Sequence, residues 1–195
     1  MMVKQARAAV TRQALISAAA EVFGTDGYAM ATLPAISSRA GVSSGALHFH
    51  FPNKEALAAA VESAAAESAL ALTEKSARAA KGGRLQALVA AVSRLMDAVA
   101  DDPVVRAGFR LGADPSRKSE AKLHDWWYEW VRNALVQARR SGELAEDVSA
   151  EDAAVVVVAA TLGLETLGAT DRYWQSAERV SQLWSFALPR LSPAE

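Results

Sequence analysis

Cysteine is absent from the 195 residues, and histidine occurs only three times. Without cysteine the chain can form no disulfide, thiolate metal site or cysteine nucleophile, a composition that fits a reducing compartment. The N-terminal segment has no apolar stretch of the signal-peptide type, and no stretch approaches the roughly 18 uninterrupted apolar residues of a membrane span. We therefore expect a soluble, cytoplasmic protein with no membrane partner.

A large net charge is also missing, because the formal net charge is −1. This value argues against a protein covered in basic surface, yet the charges are unevenly distributed. Residues 1–54 contain five Lys or Arg and two acids, giving +3 there and −4 over the remainder. A compact basic module on a mildly acidic body is what a local contact with a polyanion needs, although a difference this small also arises by chance.

Strand signals are scarce, since β-branched runs are rare and no alternating pattern persists. Alanine is abundant and 51 % of the residues are apolar, which predicts an all-α fold with a substantial core. Apolar residues at three- and four-residue spacing predict helices over about 4–23, 33–40, 44–50, 54–80, 85–100, 103–111 and 123–138. Two more helices are predicted, one capped by Ser149 and a final one through Val180.

Glycine and proline mark the predicted ends of these helices. The breaks are Gly24 and Gly27 after the first helix, Gly41 after the second, a linker at 81–83, a loop at 112–119, and a stop at Pro189. Thr32, Ser43 and Asn53 stand where N-caps of the second, third and fourth helices are expected.

The stretch Thr32–Leu57 combines a short helix, a glycine turn and a second short helix. This order is typical of the helix-turn-helix motif, whose second helix enters the major groove of DNA. Ser44, Gly45 and Ala46 are small and would allow a close approach to the bases. Since the second helix has no Arg or Lys, we expect its selectivity to come largely from fit and DNA shape.

Phosphate contacts are expected from groups around that helix. The candidates are Thr32, Ser43, His48, His50 and Lys54. Three of them have an alternative interpretation. Thr32 and Ser43 would cap helices without any DNA, and Lys54, like the nearby Arg39, can be an ordinary solvated charge. His48 and His50 diverge by about 200° on a helix, so with no cysteine we predict no metal site, cofactor or catalytic residue.

The segment RQALISAAAEVFGTDGYAMATLPAISSRAGVSSGALHFHFPNKEAL (Arg12–Leu57) resembles the DNA-binding domain of the TetR family of bacterial transcriptional regulators. The resemblance implies a homodimer of about nine helices per chain, with an N-terminal three-helix DNA-binding domain at 1–52 and a ligand-binding and dimerisation bundle at 53–195. It also implies dimerisation through the last two long helices. The residues placed where this family contacts operator DNA are Thr32, Ser44, Gly45, Ala46, His48, Phe49, His50 and Lys54.

A finer similarity is to the γ-butyrolactone autoregulator receptors of actinomycetes, carried by GALHFHFPNKEAL, by DDPVVRAGFRLG and by a tryptophan-rich helix. It implies that Trp127 lies over a bound lactone. The family usually has tyrosine where this chain has His48, and the HFHF form is more similar to the pseudo-receptor branch, whose members respond to antibiotics or biosynthetic intermediates. An imidazole can still reach a phosphate or base, and its charge can make binding depend on pH.

The ligand end of the chain is predicted to be an apolar cavity between bundle helices. Trp127 offers a flat face and an indole donor, and Thr161 can supply an opposing hydrogen bond. Further candidates for the lining are Trp130, Leu88, Val92, Met96 and Phe109. The alternative is that the tryptophans are core or dimer-interface aromatics and that the Thr161 hydroxyl is satisfied within its own helix.

The sequence is compatible with three functions. The first is a repressor of secondary-metabolism genes, bound to a palindromic operator on double-stranded DNA and released by a small apolar effector. Release would follow from a population shift that moves the two recognition helices away from successive major grooves about 34–36 Å apart. The alternatives are a helical dimer that binds ligand or protein without DNA, and an enzyme on a helical bundle, which the inventory of side chains disfavours.

Overall fold

The computed structural model describes residues 2–117 and 123–193, with side chains from residue 5 onward. All regular elements in these ranges are helical, which confirms the predicted all-α class. The α-helices are α1 (Met2–Met30), α2 (Leu33–Arg39), α3 (Ser44–His50), α4 (Lys54–Ala79), α5 (Arg84–Asp101), α6 (Pro103–Ala113), α7 (Leu123–Arg140), α8 (Ala150–Gly168) and α9 (Ala177–Leu191). A short 3₁₀ helix at Arg172–Gln175, absent from the sequence prediction, precedes α9.

The described chain divides into two compact units, and their boundaries do not coincide with a division after residue 52. Unit 1 contains residues 1–68 and 102–123, and unit 2 contains 69–101 and 124–195. Unit 1 therefore takes in the first part of α4 and all of α6, because both contribute apolar side chains to the same core as α1. The division into functional domains at residue 52 stays a prediction.

The core of unit 1 joins α1, α2, α3, the start of α4 and α6. Its largest members are Leu15, Ile16, Phe23, Ile36, Leu47, Phe51, Leu57, Val61 and Leu111. The seven-residue helices α2 and α3 are too short to be stable alone, so burial of Ile36 and Leu47 in this core is what holds them. Gly108 permits close contact between α6 and α4, since a Cβ there would lie 2.2 Å from that of Ala65.

The core of unit 2 combines α5, α7, α8 and α9 around wholly buried side chains such as Trp127, Leu88 and Leu135. The predicted linker at 81–83 is confirmed, with Gly82 and Gly83 at φ 109° and 97°. Glu143 then caps α5, because its carboxylate accepts hydrogen bonds from the backbone N–H groups of Arg84 (2.5 Å) and Leu85 (3.2 Å).

Two predicted helix ends are corrected by the structure, and one is confirmed. Gly24 lies inside α1. Gly27 ends the first part of α1, because its φ of 75° and ψ of 164° are not helical, and a further turn then runs to Met30. Pro189 lies inside α9, which ends at Leu191. Pro189 removes one helix bond, the one that an N–H at this position would donate to the Ser185 carbonyl. The last turn is closed by a bond from Ser192 N–H to the Leu188 carbonyl at 2.9 Å.

The predicted loop 112–119 begins later than expected, since α6 extends to Ala113; residues 118 and 119 lie outside the described residues. In the described chain α4 alone is long and apolar enough to cross a membrane by length and composition. Its apolar side chains Leu57, Val61 and Ala65 are wholly buried in unit 1, so core packing accounts for that composition.

Candidate functional site

The turn between α2 and α3 has the geometry expected for a helix-turn-helix. Gly41 adopts φ 66°, a left-handed conformation that glycine reaches without a steric penalty. Its N–H donates to the Ser38 carbonyl at 3.1 Å, and the Val42 N–H donates to the Ser37 carbonyl at 3.0 Å. These two bonds form a Schellman motif, which ends α2 sharply and directs the chain into α3.

Thr32 and Ser43 cap the two helices as predicted. The Thr32 hydroxyl accepts from the Ala35 N–H at 3.3 Å, and the Ser43 hydroxyl accepts from the Ala46 N–H at 3.2 Å. Both residues are exposed. Their capping role is therefore established by the structure, and the phosphate contacts expected of the same residues remain a prediction.

Helix α3 has one buried face and one free face. Leu47 is wholly buried, whereas Phe49 is 81 % exposed. Ser44, Gly45 and His48 are also exposed, and Ala46 and His50 are half-buried. The rings of Phe49 and His50 meet edge to face, with centroids 5.2 Å apart. Six of the residues predicted to meet DNA thus lie on α3, and four of them, Ser44, Gly45, His48 and Phe49, are exposed on its free face.

Lys54 is placed differently from a simple phosphate ligand. Its ammonium group donates to the backbone carbonyls of Tyr28 (2.8 Å), Ala31 (3.0 Å) and Ala29 (3.3 Å), and it lies 4.4 Å from the centroid of the Tyr28 ring. Since an ammonium group has three protons, these carbonyls occupy its donors in this conformation. Lys54 fixes the end of α1 against the start of α4.

In unit 2, Trp127 and Thr161 are bonded to each other. Both side chains are 0 % exposed. The Trp127 indole N–H donates to the Thr161 hydroxyl at 2.9 Å, and that hydroxyl donates to the Val158 carbonyl at 3.0 Å. Trp130 stacks on Trp127 with centroids 5.5 Å apart and planes 9° apart. The indole N–H predicted to meet a ligand therefore already has an acceptor within the protein, and Trp130 covers one face of the Trp127 ring.

The other predicted lining residues separate into two groups. Leu88, Val92 and Met96 are buried in unit 2. Leu88 and the half-buried Trp130 border a cavity of about 240 Å³. Phe109 is buried in unit 1 and so belongs to a different compact unit from the rest. Among the described residues no group of three or more His, Cys, Asp or Glu has a geometry suited to a metal ion.

An exposed apolar face covers parts of α8 and α9 in unit 2. Val155, Val156 and Phe186 are 55 %, 61 % and 86 % exposed. Val156, Leu183 and Phe186 line a groove of about 670 Å³ between these helices. Large side chains this exposed are typical of surfaces that meet another protein.

Comparison with known proteins agrees with this geometry. The model of the family described as bacterial regulatory proteins, tetR family, matches residues 15–61, which include α2 and α3. The A-factor receptor protein of Streptomyces griseus is 29 % identical over 194 residues, which are 98 % of this chain and 67 % of that protein.

Solved structures extend the likeness to nearly the whole chain. One, determined for the control of antibiotic production by bacterial hormones, is 30 % identical with a TM-score of 0.81, covering 93 % of this chain and 97 % of the other. An ArpA-like γ-butyrolactone receptor is 27 % identical with a TM-score of 0.83 (96 % and 91 % covered). The TetR-family protein CprB of Streptomyces coelicolor, bound to its operator, is 28 % identical with a TM-score of 0.81 (96 % and 91 % covered).

The chain belongs to the TetR family. It is a TetR-type regulator related to the γ-butyrolactone receptors, and its fold is the TetR fold, with an N-terminal helix-turn-helix and a C-terminal helical part. The matched relatives are regulators and receptors, which favours a regulatory over an enzymatic function.

Sequence reasoning missed an ionic cluster behind the helix-turn-helix of this TetR-family chain, in which Arg117 and Glu62 are buried and Glu55 is half exposed. The Arg117 side chain is 1 % exposed and donates to Glu55 Oε1 at 2.6 Å, to Glu62 Oε2 at 2.9 Å and to the Leu111 carbonyl at 3.2 Å. The Tyr28 hydroxyl donates to Glu55 Oε2 at 2.8 Å. One signal was available: Glu62 lies on the same face of α4 as Ala58 and Ala65, and an acid on an apolar face requires a buried partner.

The cluster shifts the proton affinities of its members. The hydrogen bond from Arg117 lowers the pKa of Glu55 below 4.5, and the hydrogen bond from Tyr28 adds to this, against the opposing effect of burial. Burial and the bond to Glu55 raise the pKa of Tyr28 above 10.0. Burial alone would lower the pKa of Arg117, but its bonds to Glu55 and Glu62 raise it. All three groups therefore keep their usual charge states at neutral pH.

Proposed function

We propose that this chain is a repressor that binds double-stranded operator DNA as a homodimer and is released by a small apolar effector. The observation that carries the proposal is the free face of α3, where Ser44, Gly45, His48 and Phe49 are exposed on a helix held by the buried Leu47. Small groups at the start of a recognition helix allow its backbone to approach base edges. The related CprB is solved in complex with its operator, which supports operator binding by this chain.

The effector is proposed to be of the γ-butyrolactone type, or an antibiotic or biosynthetic intermediate, and to control secondary metabolism. The relation to the A-factor receptor and to an ArpA-like γ-butyrolactone receptor supports this class. Trp127 and Thr161, with Trp130, Leu88, Val92 and Met96, are the proposed contacts. Because the indole N–H is already bonded to Thr161, the ligand would use chiefly the apolar surfaces or open that bond. Phe109 is the weakest candidate, since it lies in unit 1.

The homodimer is proposed to form through α8 and α9. Their exposed apolar face supports this, and a two-fold dimer would meet a roughly palindromic operator. The location that follows from these proposals is the cytoplasm, on the nucleoid when DNA is bound.

Binding is tested by fluorescence anisotropy with the DNA upstream of the protein's own gene. Ala46→Glu is expected to abolish operator binding. Ala46 is the third residue of α3, so a glutamate there completes a Ser-x-x-Glu capping box with Ser43 and preserves the helix, while its carboxylate faces the phosphates. Ala46→Gln has the same size and capping ability without the charge, so it should bind more tightly than Ala46→Glu, and its loss relative to wild type measures the effect of bulk alone.

The titration is repeated at several salt concentrations and with a synthetic γ-butyrolactone. Affinity should fall steeply with salt, since each phosphate contact adds about 0.9 to the slope of log K against log salt. Added lactone should release the complex. Unchanged operator affinity in Ala46→Glu, with an unchanged circular dichroism spectrum, would refute the assignment of α3 as the recognition helix.

A further inference from the structure

One segment of unit 1 is distant in sequence from the rest of that unit. After α5 of unit 2 ends at Asp101, residues 102–123 join unit 1, and the chain then returns to unit 2 in α7. Within this segment Val104, Ala107 and Leu111 pack on the core of unit 1. The last described residue of the segment before Leu123 is Arg117, whose buried guanidinium group lies in the cluster with Glu55 and Glu62.

We infer that Arg117 is a positioning residue for the DNA-binding helices. The inference rests on the proposed operator binding and adds a residue far from the DNA face. A path of direct side-chain contacts joins Arg117 to the end of α1. Its guanidinium carbon lies 4.9 Å from the Tyr28 ring centroid, and the Tyr28 hydroxyl donates to the same Glu55 carboxylate that Arg117 binds.

The second step of the path is made by Lys54, the first residue of α4. Lys54 holds the carbonyls of Tyr28, Ala29 and Ala31 and stacks on the Tyr28 ring. Ala31 is followed directly by Thr32, the cap of α2. The side chains of Arg117, Glu55, Tyr28 and Lys54 therefore fix the entry of the chain into the helix-turn-helix and the start of the helix that follows it.

Burial makes Arg117 suited to this role. An exposed ion pair holds its partners weakly, but Arg117 and Glu62 are each 1 % exposed, and the planar guanidinium group meets two carboxylates, a carbonyl and an aromatic face at once. Such a group has few alternative arrangements. Loss of the guanidinium group should let the Tyr28–Thr32 turn and the start of α4 adopt other positions. If the binding-competent arrangement falls to a tenth of the population, operator affinity falls tenfold.

A positioning role must be separated from a contribution to stability alone. Arg117→Met leaves Glu62 as a buried charge without this cation, and such variants are often strongly destabilised. The double variant Arg117→Met with Glu62→Met removes both charges, and apolar replacement of a buried pair commonly restores stability. It does not restore the bonds to Glu55 or the contact with Tyr28.

The test compares wild type, Arg117→Met and the double variant by operator anisotropy, thermal unfolding and amide hydrogen exchange over residues 28–36. The double variant should unfold near the wild-type temperature, bind operator at least about tenfold more weakly, and exchange its Ala31 and Ala35 amides about tenfold faster. Arg78→Ala breaks the exposed pair with Glu74 and serves as the control, with no change in any measurement.

Wild-type operator affinity and wild-type exchange in the double variant would overturn the inference, because the pair would then serve stability alone. Failure of the wild-type protein to bind operator would instead refute the proposed function. In that case hydrogen exchange still decides the role of Arg117, since the amides are measured without DNA.

Discussion

At the scale of the residue, Thr161 shows how a buried polar group is satisfied in two directions. Its hydroxyl donates within α8 and accepts from the Trp127 indole. Of the two interpretations open from the sequence, the bond within its own helix is present, and the hydrogen bond to a ligand stays a prediction. The bond from the Trp127 indole was not among them. A single threonine can make both bonds because a hydroxyl is a donor and an acceptor at once.

Thr161→Val should lower the free energy of unfolding by about 1–3 kcal/mol, because the buried indole N–H loses its acceptor. Thr161→Ser keeps the hydroxyl and should cost less. Urea unfolding followed by tryptophan fluorescence measures the difference, since all five tryptophans lie after residue 120. Equal stability of Thr161→Val and wild type would show that the 2.9 Å bond contributes nothing to the folded state.

The N-caps of the helices were the most predictable side-chain contacts. Thr32, Ser43, Asn53 and Ser149 all accept the capping hydrogen bonds expected of them, because a cap depends on residues only two or three positions away. The partners of Lys54 and Arg117 were not predicted. Lys54 contacts carbonyls 23–26 residues earlier, and Arg117 contacts acids 55 and 62 residues earlier, separations that no local pattern encodes.

At the scale of the element, the start of α4 depends on the charge of Glu55. The pKa of this carboxyl is lowered by its bond from Arg117. A group whose pKa is lower in the folded state stabilises that state at pH values above its unfolded pKa. The contribution is lost as the pH falls through the folded pKa. The decrease in the free energy of unfolding at acid pH should therefore include the loss of the hydrogen bond between Arg117 and Glu55.

Glu55→Gln is expected to be less stable than wild type at pH 6, and the difference should narrow as the pH falls below the ordinary pKa of a glutamate and through the lowered pKa of Glu55. Chemical unfolding followed by circular dichroism at each pH measures the two curves. Glu74→Gln removes the acid of an exposed pair on the same helix and should change stability little at any pH. A difference between Glu55→Gln and wild type that stays constant with pH would contradict the role of the carboxylate charge.

The helices themselves were largely predictable from periodicity, and their ends less so. Gly41 ends α2 as expected, because a Schellman motif is local and requires a left-handed residue. Gly24 and Pro189 did not end their helices. A helical glycine costs only about 1 kcal/mol, which the packing of Phe23 in the core of unit 1 can offset. Pro189 removes a single helix bond, and α9 continues for only two residues beyond it.

At the scale of the whole molecule, the two compact units were not predictable from the order of elements. The order of the helices does not indicate that α6 packs with α1 in unit 1. The cause is long-range packing of Ala107 and Leu111, and Gly108 allows it by leaving room for Ala65. The fold class followed from composition and period, whereas the joining of distant segments depends on complementary shapes.

The exposed apolar face of α8 and α9 is the proposed dimer contact. Phe186→Glu should convert the proposed dimer to monomers, because a two-fold interface contains each side chain twice. A loss of about 2 kcal/mol for each central aromatic then amounts to about 4 kcal/mol, or roughly a thousandfold in the dissociation constant. Sedimentation velocity at micromolar concentration measures the change.

Operator affinity should fall together with dimerisation in Phe186→Glu, since a monomer meets one half-site and loses the linked second contact. Leu70→Glu introduces the same charge at an apolar residue of unit 2 that is 40 % exposed on α4, and it should leave both the dimer and operator binding intact. A Phe186→Glu protein that sediments as a dimer would place the interface elsewhere. A monomer that binds the palindromic operator with wild-type affinity would show that the two half-sites are recognised independently.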